Sequence, residues 1–95
     1  MTPFDQIATR IIQEQELVIG PLAWKEAEKV AGLRVDPAHH GVAMSGGDPK
    51  DVVNRLVGQY ERLFGRASHE VCRDAAAGMV ADLALADIPS SLLPA

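Results

Sequence analysis

The residues best equipped for chemistry in this 95-residue chain are two adjacent histidines, His39-His40, and a single cysteine, Cys72. Paired histidines raise the question of a metal site. Consecutive side chains point in different directions, so both can reach one ion only from a distorted loop. A metal would also need two further ligands. Asp36 and His69 are the nearest in sequence, and no familiar ligand spacing is present. His39 and His40 are weak metal candidates, and exposed loop histidines are the simpler reading. Cys72 follows His69 by three residues, close enough to be its neighbour on a helix. A thiol near a helix N-terminus can be activated. Cys72 also falls on an apolar stripe with Ala76 and Met79, where cysteine serves as a small hydrophobe. No metal, cofactor or catalytic residue is expected.

Two further patterns touch on ligand chemistry. Ser45-Gly46-Gly47-Asp48-Pro49-Lys50 is a glycine-rich turn before a helix, a setting that can bind phosphate. Here Asp48 occupies the cap and repels an anion, Pro49 removes a donor, and no lysine follows at phosphate-loop spacing. Arg55, Arg62 and Arg66 form a row beside a helix–turn–helix-like junction, which makes nucleic-acid binding through the third and fourth helices an alternative. Asp51 can pair with Arg55, Glu61, Glu70 and Asp74 offset the rest, and Arg73 is nearly alone as a base-reading side chain on the fourth helix. The net charge of −4 and pI of about 5.2 also argue against a general attraction to nucleic acid or anionic membranes. No pair of polar groups stands at a spacing that assigns complementary acid, base or nucleophile roles, so an enzyme is not expected.

Four amphipathic helices must position these residues. Thr2-Pro3-Phe4-Asp5 opens the first: Thr2 can cap, Pro3 fits the first helical position, and Asp5 suits the dipole. Phe4, Ile7, Ala8, Ile11, Ile12, Val18 and Ile19 share a face. Gln15 interrupts it and needs a partner at a subunit interface or a helix end. Gly20-Pro21 is a break, and a second helix is expected from about Pro21 to Ala31, with Trp24 at the rim of its alanine-rich face. Residues 33–47 lack helical periodicity. Leu33-Arg34-Val35 and Val42-Ala43-Met44 can pair as a short hairpin around Asp36 to Gly41. Asp48-Pro49 starts the third helix, whose face is Val52, Val53, Leu56, Val57, Tyr60, Leu63 and Phe64. Gly65 is the expected left-handed cap at its end. Ser68 is the expected cap of the fourth helix, whose face is Val71, Cys72, Ala75, Ala76, Met79, Val80 and Leu83.

The fold class expected is mainly α: a bundle-like domain of two helical hairpins over residues 1–87, with a long loop at 33–47 and a C-terminal tail at 88–95. Only four residues are aromatic, Phe4, Trp24, Tyr60 and Phe64. An alanine-rich core of this kind buries little area per residue, so assembly with a second chain would help stabilise it. Tyr60 and Phe64 are accordingly expected near an intersubunit or partner contact. Trp24 is a further candidate anchor, and Leu92 and Leu93 either fold back, dock on a partner or stay disordered. The first 19 residues carry Asp5, Arg10, Glu14 and Glu16, which do not suit a signal peptide, and one cysteine permits no internal disulfide. The sequence thus leads to a small cytoplasmic helical interaction or regulatory module that acts by helix-face association, as a homodimer or a complex subunit. The alternative is a ligand- or metal-responsive regulator that uses the 34–47 loop.

Overall fold

A reciprocal cap fixes the start of the first helix, α1 (Pro3–Ile19). The Thr2 hydroxyl accepts from the Asp5 N–H at 3.2 Å, and the Asp5 carboxylate accepts from the Thr2 N–H at 3.1 Å. Two donors that a helix start leaves unpaired are thereby satisfied. The chain continues as α2 (Leu22–Ala27), β1 (Leu33–Asp36), β2 (Gly41–Met44), α3 (Pro49–Phe64) and α4 (Arg66–Val80), followed by two 3-10 turns, Leu85–Asp87 and Ser90–Leu92. The computed structural model describes residues 2–36 and 38–93. Over these residues the molecule is mainly helical, with one two-stranded sheet. None of its helices is long and apolar enough to cross a membrane.

The hairpin forms where its short apolar runs indicate. β1 and β2 pair antiparallel with Leu33 opposite Met44 and Val35 opposite Val42. Alternation along a strand puts these four on one side, turned to the helices, and Arg34, Asp36 and Ala43 on the other. Asp36 organises the turn by accepting from the Ala38 N–H at 3.2 Å. β2 is tied to the start of α1, because the Met44 N–H donates to the Asp5 carboxylate at 2.9 Å.

The second helix is shorter than expected. It stops at Ala27, and Lys29 and Val30 donate to the carbonyls of Glu26 and Ala27, three residues back. This tighter winding turns the chain into Gly32, which sits at φ +87°. A Cβ at Gly32 would lie 2.7 Å from both the Gly46 carbonyl oxygen and a Val52 methyl, so the hairpin can approach α3 only through glycine. The fourth helix also begins differently. Gly65, at φ +90°, closes α3 and starts α4 directly, and Ser68 lies inside the helix as a buried residue. Ser68 is therefore not the cap.

α4 packs against both α1 and α3, and α1 also contacts α2, α3 and β2. The core between them holds Ile7, Ile11, Ile12, Val52, Val53, Leu56, Val57 and Tyr60, all 0–1% exposed. The chain therefore covers the α3 face from Val52 to Tyr60 by itself. Only its C-terminal end stays open, with Leu63 exposed and Phe64 half-buried. Gln15 finds the partner its position demands within the chain. Its side-chain N–H donates to the Ser68 carbonyl at 2.8 Å and reaches the Cys72 sulfur at 3.3 Å.

Candidate docking groove

The residues expected at a partner contact divide into two groups. Tyr60 is fully enclosed, and its hydroxyl donates to the Ala23 carbonyl at 2.6 Å. Its placement at an intersubunit contact is corrected: the α2 backbone supplies the polar partner the phenol needs, and the ring fills the core. Burial raises the phenol's pKa, and the nearby Cys72 and Glu26 add to the effect. Trp24 is also buried. Its indole N–H donates to Glu16 at 2.9 Å, and its ring stacks on His40 with centroids 4.6 Å apart. Leu92 is buried between α4 and α3, and Leu93 is half-buried. Of the five candidates, Phe64 and Leu93 retain partly open surface.

The candidate chemistry residues are likewise engaged. His39 Nδ1 lies 2.6 Å from Asp36, a contact that holds the Asp36 carboxyl below its ordinary pKa. His40 has φ 51° and lies over Trp24. Their backbones and partners direct the two rings to different neighbours. Among the described residues no three His, Cys, Asp or Glu side chains gather as metal ligands. Cys72 is fully buried, and burial pushes its thiol up to about 11, partly offset by the Gln15 hydrogen bond. A thiol held protonated is a poor nucleophile at neutral pH. In the arginine row, Arg55 donates to the Ala31 carbonyl at 3.3 Å and Arg62 to Gln59 at 2.8 Å.

The open surface lies elsewhere, on the outer side of α4. A groove of about 630 Å³ runs between the C-terminal half of this helix and the segment that follows it. Ala77 and Ala81, four residues apart and exposed, form its floor, and Leu83, Leu85, Ile88 and Leu92 form its wall. Leu85 projects from the rim at 76% exposure. Arg73 and Asp74 mark the polar end. Arg73 pairs with Glu70 at 3.3 Å, yet its buried Nε has no hydrogen-bond partner. A second, smaller depression of about 310 Å³ continues past Asp74 towards Leu17 and Val18 on α1, which are 79% and 64% exposed. Asp74 lines both, so the two depressions adjoin at a charged residue, and Arg10 and Glu14 also line the second.

The wall is held by polar ties from α3 and α4. Asn54 Oδ1 accepts from the Ser91 N–H at 3.0 Å and from its hydroxyl at 2.5 Å. Lys50 Nζ donates to the Ala86 carbonyl at 3.0 Å. His69 Nε2 lies 2.6 Å from the Ser91 carbonyl oxygen. Leu92 and Leu93, named from the sequence, line this groove, whereas Ala77, Ala81 and Leu85 were not among the sequence candidates. The available signal was the small-residue spacing of Ala77 and Ala81, followed by an isolated leucine. Comparison with protein-family models, curated proteins and solved structures found no match.

Proposed function

We propose that this chain is a non-enzymatic helical protein–protein interaction module, a bundle-like pairing of two helical hairpins that works by self-association across the outer face of α4. The carrying observation is the apolar groove beside α4, with large aliphatic side chains exposed near it. Large aliphatic side chains, Leu17, Val18 and Leu85, stand out from a surface that also contains a groove floored by alanines. Isolated exposed leucines are ordinary, but exposed aliphatic side chains gathered beside a concave apolar groove mark an association surface. Each copy carries both projections and groove, so one two-fold contact can satisfy both at once. Small residues on the groove floor permit close helix approach, and Arg73 and Asp74 supply opposite charges that can pair across the axis.

Sedimentation of the intact protein tests this reading. The wild-type chain is expected to form dimers in the micromolar range, and Ala77→Glu to weaken the dimer by about 10-fold or more, because it buries an unpaired charge at the contact. Ala77 is exposed in the single chain, and glutamate is a good helix former, so the monomer fold should be retained. A wild-type chain that stays monomeric, or a variant that associates as tightly, would remove the proposal.

A further inference from the structure

Three aspartates stand around the α4 groove. Asp74 lines its polar end, Asp82 falls between the lining residues Ala81 and Leu83, and Asp87 precedes Ile88 on the wall. All three are exposed, and none joins an ion pair among the described residues. The cations nearby are engaged elsewhere. Arg73 pairs with Glu70 and Arg10 with Glu14, while Lys50 donates to the Ala86 carbonyl. Lys50 keeps its charge, yet the balance of the rim is negative. An apolar trough with an acidic rim is complementary to an apolar surface that carries positive charge.

The shape of the trough selects among such surfaces. Its floor alanines are exposed and Leu85 is 76% exposed, so a small apolar ligand would stay partly in water. The borders are α4 and two 3-10 turns, which offer no strand edge. An extended segment laid there would bury backbone groups without partners, whereas a helix satisfies its own. The floor also invites close approach. Gly78, exposed beside Ala77, lies within α4, where glycine is less favourable than alanine. Nothing inside the chain demands it, because a Cβ at Gly78 would meet no atom within 4 Å. Its missing side chain instead lowers the outer surface of α4 for a neighbouring helix.

We propose that the α4 groove receives a basic amphipathic helix of another protein. The apolar stripe of that helix fills the trough, and its lysines or arginines meet Asp74, Asp82 and Asp87. This rests on the reading of the groove as an association surface, and it makes the two-fold self-contact the form that the partner displaces. A second copy offers Arg73 to Asp74 but brings its own Asp82 and Asp87 to the same contact. A basic helix brings cations without those acids, so it is the better match for the rim.

The test uses a peptide of about 15 residues with leucines at helical spacing and lysines elsewhere, and a twin with glutamate in place of each lysine. Each is titrated into the full chain and followed by amide NMR. The lysine peptide is expected to shift the outer positions of α4 and residues 81–93, and to bind about 10-fold or more tightly than its twin. The triple variant Asp74→Asn, Asp82→Asn, Asp87→Asn changes only exposed side chains, so the fold should be retained. It should bind the lysine peptide about 5-fold more weakly, the sum of three modest rim pairs. Equal binding of the two peptides, shifts centred away from the groove, or a variant that binds as tightly as the wild type would overturn the proposal. Sedimentation separates it from self-association. A chain that is monomeric alone yet binds the lysine peptide in the groove upholds this proposal and removes the self-contact. Dimers that persist while the lysine peptide fails to bind do the reverse.

Discussion

Asp5 ties two elements together. Its carboxylate accepts the Thr2 N–H inside the capping box and the Met44 N–H from β2. Burial opposes its ionisation, but these hydrogen bonds outweigh burial and hold the carboxyl below its ordinary pKa. Removing them by Asp5→Ala is expected to cost about 1–2 kcal/mol in urea unfolding, through the lost cap and an unpaired strand N–H. The pH dependence has a definite sign. A carboxyl whose pKa is lower in the folded state contributes fully above the unfolded value, near 3.8, and the contribution disappears as pH falls through the lower folded value. Acid unfolding curves of the wild type and Asp5→Ala should therefore converge below about pH 4. Sequence spacing made half of this legible. Thr2 and Asp5 announce a helix start, but the Met44 contact spans 39 residues, and no local pattern could indicate it.

Two glycines show how element boundaries are set, and why sequence reading succeeds at some and misses others. Gly65 adopts φ +90°, and nothing lies within 4 Å of where a Cβ would be. Gly65→Ala should thus cost only the backbone penalty of a positive φ with ψ −177°, about 1–3 kcal/mol. Gly32→Ala meets a carbonyl oxygen and a methyl at 2.7 Å in addition to its own positive φ, and is expected to lower the urea midpoint further than Gly65→Ala does. Equal midpoints would mean that the hairpin can shift away from α3 freely. The third helix was readable because Asp48-Pro49 and Gly65 both carry strong local signals, and the hairpin because its apolar alternation is flanked by turn residues. The start of α4 was not, because Ser68 has the right type for a cap while Gly65 occupies the capping position of both helices, with no side chain to cap α4. The shortened α2 was hidden for a different reason: its alanines favour helix locally, and tertiary approach of the hairpin at Gly32 decides otherwise.

Across the whole molecule, the alanine-rich composition pointed to an incompletely covered apolar surface, but the location differed from that expected. The face from Val52 to Tyr60 is closed by α1, α2 and α4, with Tyr60 anchored on the Ala23 carbonyl. The uncovered surface is the far side of α4, where Ala77 and Ala81 leave a trough beside Leu83, Leu85 and Ile88. Periodicity shows which side of a helix is apolar, and small residues score weakly on both sides, so this second face left little trace in the pattern. The C-terminal segment closes one edge of the trough through Leu92 and its ties to Asn54, Lys50 and His69. That arrangement makes one segment both a cover of the core and a wall of the trough. The direct test is an amide NMR spectrum recorded from about 10 µM to about 500 µM protein, a range that spans a micromolar dimer. The account predicts concentration-dependent shifts confined to Leu17, Val18, the outer positions of α4 and residues 83–93. Shifts centred on the 33–47 hairpin, or a spectrum unchanged across the series, would contradict it.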